Sequence, residues 1–221
     1  MSVGTAEIID YYNNMLPYME KYHRGINDGR LKAINNFLSN IVKPDMKVLD
    51  VGCGTGITSK HMAQLGAKVT AVDIAPLLIE YAKTHSKHEN ITYIVEDIGN
   101  FLVNERFDII VFVDVFEHIV PDNIFMVVRR LTKHNTHEGS KIYLNIPDSN
   151  FLKYMKINHP DKLQIIDHDH AKGDILSLFE YCDFIPVHMK IYGIDVDVQY
   201  NEYLFITKKK LNHYYEISCC I

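Results

Sequence analysis

The residues best suited to chemistry fall in short clusters. The first is Asp50-Val51-Gly52-Cys53-Gly54-Thr55-Gly56. Glycine has no Cβ, so a run with glycine at every second position can bend sharply and bring its backbone close to a ligand. The spacing is GxGxG. It is not the GxGxxG that seats a pyrophosphate on a helix N-terminus, which sets a dinucleotide reading behind the others. The second cluster, Val72-Asp73-Ile74, lies about 20 residues further on, where an acidic side chain can accept both hydroxyls of a ribose. The competing reading is an aspartate capping the next helix, because Pro76 follows closely. The third cluster, Glu96-Asp97-Ile98, can accept from the exocyclic amine of a purine or simply sit in solvent. Together these describe a nucleoside seat.

A further set carries acid–base groups: Asp114, Glu117 and His118, and later His168-Asp169-His170. Histidine, with an ordinary pKa of ~6.5, can take a proton at neutral pH. Asp114, Glu117 and His118 with His168 or His170 also offer two carboxylates and two imidazoles, a donor set that suits Mg, Mn, Fe or Zn. Acid–base use of His118 or His168 without metal is preferred to that metal set. The plain alternative for Glu117-His118 is a helix cap or pocket wall. His168 and His170, two apart on an extended segment, are expected to point to opposite sides, so that only one faces the cleft.

Strands and helices must position these groups. Residues 5–41 place apolar side chains at helical spacing, broken at Pro17 and between Gly25 and Gly29. From Lys47 onward, strands are expected at 47–51, 68–72, 91–95, 107–113, 141–146, 184–191 and 203–207. Helices are expected at 58–65, 76–84, 123–133 and 174–181. Alternating strands and helices with near-continuous apolar strands imply a parallel sheet covered on both faces. Residues 193–200 are too few for a helical crossover, so one of the last two strands runs antiparallel. Residues 147–172 form a long insertion after the fifth strand, and segments of that size tend to be functional.

Val48-Leu49-Asp50-Val51-Gly52-Cys53-Gly54-Thr55-Gly56, Val69-Thr70-Ala71-Val72-Asp73 and Glu96-Asp97 resemble, in order and spacing, the motifs of the class I S-adenosylmethionine (SAM) methyltransferases. The resemblance runs roughly from residue 47 to 207. It implies a Rossmann-like α/β fold: a seven-stranded, mostly parallel sheet with one antiparallel strand near the C-terminus, helices on both faces and an N-terminal helical lid. It implies SAM as cofactor, leaving S-adenosylhomocysteine as product. Gly52, Gly54 and Gly56 would approach its methionine part and Asp50 its ammonium group. Asp73 with Ile74 would hold the ribose, and Asp97 with Ile98 would face adenine. Asp114 would lie beside the reacting methyl. Tyr18, Tyr22 and His23 belong to the expected lid, where Arg24 or Arg30 could pair with the SAM carboxylate. The implied division is 1–43 as lid, 44–210 as methyltransferase domain and 211–221 as tail.

A hydroxyl acceptor needs a base, whereas an amine needs only its lone pair. The histidines therefore favour methylation of a hydroxyl or carboxyl oxygen on a small molecule. N-methylation of a small amine, metal-assisted 2′-O-methylation of RNA ends and a non-catalytic SAM-binding role are the alternatives. The Glu117-His118 pair also resembles ubiquinone-pathway O-methyltransferases.

Composition narrows the field. The chain has 221 residues, 47% hydrophobic and 23% charged, which excludes global disorder. A net charge of -5 weighs against a nucleic-acid partner, which needs a basic surface. Four cysteines make no disulfide framework, so a reducing cytoplasm is expected. No apolar run suits a membrane span or a secretory leader. A monomer or homodimer is expected.

Overall fold

The computed structural model describes residues 3–23, 29–195 and 198–208. The tail expected over 211–221, Arg24 and the side chain of Tyr22 lie outside what is described. Three helices come first: α1 (Thr5–Asn14), α2 (Leu16–His23) and α3 (Gly29–Ile41). The alternation then runs β1 (Lys47–Val51), α4 (Ile57–Gln64), β2 (Lys68–Asp73), α5 (Pro76–His85), β3 (Ile91–Val95) and β4 (Ile109–Val113). It continues with α6 (Pro121–His134), β5 (Lys141–Pro147), α7 (Ser149–Asn158), α8 (Lys172–Tyr181), β6 (Phe184–Asp195) and β7 (Val198–Thr207).

The seven strands follow the order β3-β2-β1-β4-β5-β7-β6. β1 with β2, β2 with β3, and β4 with β5 are parallel. β7 runs antiparallel to both β5 and β6, so it is the one reversed strand; β6 extends to Asp195 and β7 starts at Val198, leaving even less room for a crossover than the 193–200 span expected from sequence. Among the described residues, no helix is long and apolar enough to cross a membrane.

The chain divides into two compact units, residues 1–102 and 103–221. In the first, Val48 and Leu49 of β1, Val69 and Ala71 of β2, Met62 of α4 and Leu78 of α5 are all buried. Pro76 opens α5, where its missing N–H costs nothing and its fixed φ suits the first turn. In the second, Ile109–Phe112 of β4 are buried one after another, the pattern of a strand covered on both faces. Phe179 of α8 stacks on Phe205 of β7 with ring centroids 4.2 Å apart.

Two elements differ from expectation. The 147–172 insertion contains α7 and a short 3-10 turn at Pro160–Lys162. β7 starts at Val198, five residues before the apolar run. Its first half carries Asn201 and Glu202, polar but buried, which read as loop from sequence.

Candidate functional site

The first unit holds the nucleoside-seat residues. Beyond β1 the chain turns at once. The amides of Gly52 and Cys53 both donate to the Val72 carbonyl, at 2.8 and 3.0 Å, tying the glycine loop to β2. Gly52, Gly54 and Gly56 all have left-handed backbone, with φ of 67°, 52° and 77°. Two of them need glycine for different reasons. At Gly56, the N-cap of α4, an added Cβ would lie 2.4 Å from the Tyr93 Oη. At Gly54 a Cβ would meet only the Met19 sulfur at 3.7 Å, so there the conformation is the constraint.

Asp73 joins the two strand tips. Its Oδ2 accepts from the Gly54 amide at 2.8 Å and its Oδ1 from the Ala75 amide at 2.9 Å. The turn-capping role therefore falls to a buried carboxylate. Burial pushes its pKa up, against the pull of these backbone donors. Asp50 is buried beneath the loop, and Ser59 Oγ donates to its Oδ2 at 2.5 Å. Burial raises its pKa to about 7, partly offset by Ser59. The third tip is tied in by the Glu96 amide, which donates to the Asp73 carbonyl at 3.0 Å. Asp97 closes the turn after β3: its Oδ1 accepts from Gly99 N at 2.7 Å, and Ile98 lies within that turn.

The N-terminal helices pack on this unit. Asn13 Oδ1 accepts from the Leu77 amide at 3.0 Å, so α1 supplies a capping acceptor to the first turn of α5. His23 packs edge-on against Tyr81, with ring centroids 5.1 Å apart. Tyr18 points outward, half exposed, with the Lys21 ammonium 5.1 Å from its ring centroid.

The second unit holds the acid–base residues. Asp114, at the tip of β4, has a left-handed φ of 49°, and its amide donates to the Asn145 carbonyl at 3.0 Å. A 3-10 turn, Phe116–His118, follows. His118 Nδ1 lies 2.5 Å from the Ile166 carbonyl. A carbonyl only accepts, so Nδ1 carries the proton and neutral His118 keeps its lone pair on Nε2. Asp167 Oδ1 stands 3.3 Å from Nδ1, and Glu117 Oε1 3.8 Å from Nε2. Burial holds the His118 pKa below its ordinary value, against the opposing pull of Asp167 and the Ile166 carbonyl. Sequence reasoning missed Asp167 and Ile166, because no spacing rule links positions so far apart in the chain.

The insertion is fastened to this unit at both ends. At its start, Asp148 N donates to the Gln199 carbonyl at 2.8 Å, and Asn201 Nδ2 donates to Asp148 Oδ2 at 3.0 Å. At its end, His168 N donates to the Glu117 carbonyl at 2.9 Å. The rings of His168 and His170 approach each other, centroids 6.3 Å apart. This corrects the expectation that the two histidines diverge: in extended chain, residues two apart share a side. His168 has its pKa lowered by burial and by Lys156, which itself pairs with Asp169. Among the described residues, no group of three or more His, Cys, Asp or Glu side chains is arranged to hold a metal ion. Asp114, Glu117, His118, His168 and His170 do not converge on one point, and Nδ1 of His118 is already committed.

Strand order and the single reversed strand give a Rossmann-like α/β fold, mostly parallel with helices on both faces, and the glycine loop at its first strand tip is tied to Asp73. Residues 48–139 match the family described as a methyltransferase domain. The chain is 36% identical over 134 residues to ubiquinone biosynthesis O-methyltransferase of Coxiella burnetii, covering 59% of this chain and 54% of that one. It is 37% identical over 93 residues to the Xanthomonas campestris protein of the same name, covering 40% of this chain and 38% of that one. The chain thus spans about half or less of the length of the curated relatives it matches. Among solved structures, magnesium protoporphyrin IX methyltransferase from Synechocystis, solved with bound SAH, superposes with a TM-score of 0.73 at 17% identity, over 92% of this chain and 100% of that one. The N-methyltransferase NodS from Bradyrhizobium japonicum gives a TM-score of 0.68 at 17% identity, over 83% and 90%. These likenesses are of fold.

Proposed function

We propose that the protein is a SAM-dependent methyltransferase acting on an oxygen of a small-molecule acceptor. The observation that carries the reading is Asp73, a buried carboxylate at a strand tip, fixed by Gly54 N–H and Ala75 N–H. An ionised carboxylate has about four lone-pair sites, so beside the Gly54, Ala75 and Ile74 amides Asp73 keeps capacity for a ribose hydroxyl. SAM, when bound, supplies a methyl group on a positively charged sulfur. Gly52, Gly54 and Gly56 present close-approaching backbone to its methionine part, Asp50 attracts its ammonium group, and Ile74, Asp97 and Ile98 flank the nucleoside. Residues 1–43 act as a lid on a methyltransferase domain of 44–210. The bond from Leu77 to Asn13 and the approach of Met19 to Gly54 support a lid that rests on the glycine loop and α5.

His118 is the base. Its Nδ1 proton is held by the Ile166 carbonyl, so Nε2 is the atom that receives a hydroxyl proton. His168 is the second candidate, with its pKa also lowered. Oxygen is favoured over nitrogen because an amine would leave this base unused, and because the curated relatives are named as O-methyltransferases. The acidic net charge and the few cysteines support a small-molecule substrate and a reducing cytoplasm. Calorimetry with S-adenosylhomocysteine, followed by methyl transfer from labelled SAM to a panel of phenols, alcohols and amines, tests the proposal. The absence of binding heat would overturn it.

A further inference from the structure

One face of β5, β7 and β6 carries polar and aromatic side chains that neither the nucleoside seat nor His118 uses. Residues paired across a ladder point the same way, so Tyr143 and Asn145 of β5 share this face with Tyr200 and Glu202 of β7 and with His188 and Tyr192 of β6. Glu202, though buried, is well supplied: Tyr143 Oη donates to it at 3.0 Å and His188 Nε2 at 2.9 Å.

Asn145 is supplied on one side only. It is fully buried, and its Nδ2 donates to Tyr192 Oη at 2.8 Å. Its Oδ1 is buried and has no hydrogen-bond partner. Buried polar groups are almost always matched, so an unmatched one marks a place where something else supplies the donor. Tyr192 lies nearly flat against Tyr200, with rings 5.9 Å apart and 25° between planes. β6 and β5 both run antiparallel to β7, so Asn145 and Tyr192 stand near the carboxyl ends of two strands that point the same way. In open α/β sheets, ligands bind at that end.

We propose that Asn145, backed by the Tyr192–Tyr200 pair, recognises the methyl acceptor. The acceptor class is a planar ring bearing an O–H or N–H donor that meets Asn145 Oδ1. This deepens the methyltransferase reading and rests on it. Asn145 is a specificity residue: a ring without the donor leaves the carbonyl unmatched and is rejected, the mechanism by which polar sites discriminate best. Tyr192 holds the amide in that orientation and supplies the flat wall.

The test is an NMR titration of the full chain, saturated with S-adenosylhomocysteine, with phenol and with fluorobenzene. Fluorobenzene matches phenol in size and has no donor. Wild type is expected to bind phenol about tenfold more tightly than fluorobenzene, the scale of one good hydrogen bond. In Asn145→Leu that preference disappears, while affinity for S-adenosylhomocysteine is unchanged by calorimetry. Tyr192→Phe keeps the wall but releases the amide, and reduces the preference about threefold or more. Equal binding of the two rings to wild type, or binding of neither, overturns the proposal and leaves the methyltransferase reading standing. Failure of wild type to bind S-adenosylhomocysteine overturns both.

Discussion

The imidazole of His118 donates through Nδ1 to the carbonyl of Ile166, a residue 48 positions further along the chain. That bond fixes the tautomer, and burial keeps the ring neutral at physiological pH. His118→Ala is expected to lower kcat about 100-fold or more toward a hydroxyl acceptor. Binding of S-adenosylhomocysteine should be unaffected. Turnover at the wild-type rate would remove the base assignment.

The same lowered pKa sets a pH profile. A base must be unprotonated, so kcat should rise with pH to a plateau, with its acid midpoint below the ordinary histidine value of ~6.5. Stability follows the same sign. Below that value the unfolded chain binds a proton that the folded chain resists, so this contribution is present above pH ~6.5 and is lost as pH falls through the folded pKa. An acid midpoint above 7 would contradict the burial argument.

Asp50 has the opposite sign. Its pKa is raised to about 7 in the folded protein, so its contribution is full in acid, below the ordinary carboxylate pKa, and is lost as pH rises through about 7. Asp50→Asn should flatten the fall in melting temperature between about pH 4 and 7. If Asp50 meets the ammonium of the cofactor, S-adenosylhomocysteine binding at pH 6 will release a proton. Calorimetry in two buffers of different ionisation heat reads that release directly. Identical heats would separate Asp50 from the ligand.

Asp73→Ala removes the acceptor for the Gly54, Ala75 and Ile74 amides as well as the proposed ribose contact. Affinity for S-adenosylhomocysteine should fall by about 1–3 kcal/mol, the cost of leaving polar groups unmatched. An unchanged calorimetric affinity would take the ribose role from this residue.

Gly56→Ala should cost about 1–3 kcal/mol in denaturant unfolding, because the new methyl meets Tyr93 Oη as well as a left-handed backbone. Gly54→Ala meets only the conformational penalty and should cost less. Adding Tyr93→Phe to Gly56→Ala should recover part of the loss. If the two glycine variants prove equal, close approach at Gly56 is not the constraint.

The strand tips of the first unit were legible in sequence because each role there needs a residue type at a fixed distance from an apolar run. Gly52, Gly54, Gly56 and Asp73 meet that condition. Strand β1 was legible to the residue, since its flanking turn residues leave no alternative. Strand β7 was not fully legible: Asn201 and Glu202 look like loop until Asp148, Tyr143 and His188 are seen to satisfy them. Helix α7 left a readable trace in Asp148, whose side chain caps it by accepting from Asn150 N, followed by Phe151, Leu152 and Met155 at helical spacing. The His118–Ile166 contact left none, because it is made by a backbone carbonyl, which every residue type supplies.

The two clasps on the insertion make the stretch between them separable, over evolutionary time, from the scaffold that bears it. Asp148 is held by β7 at one end and His168 by the Glu117 carbonyl at the other. Neither clasp depends on what residues 150–163 are. Residues 150–163 can therefore be rewritten without touching either clasp or the seat of the His118 imidazole against the Ile166 carbonyl.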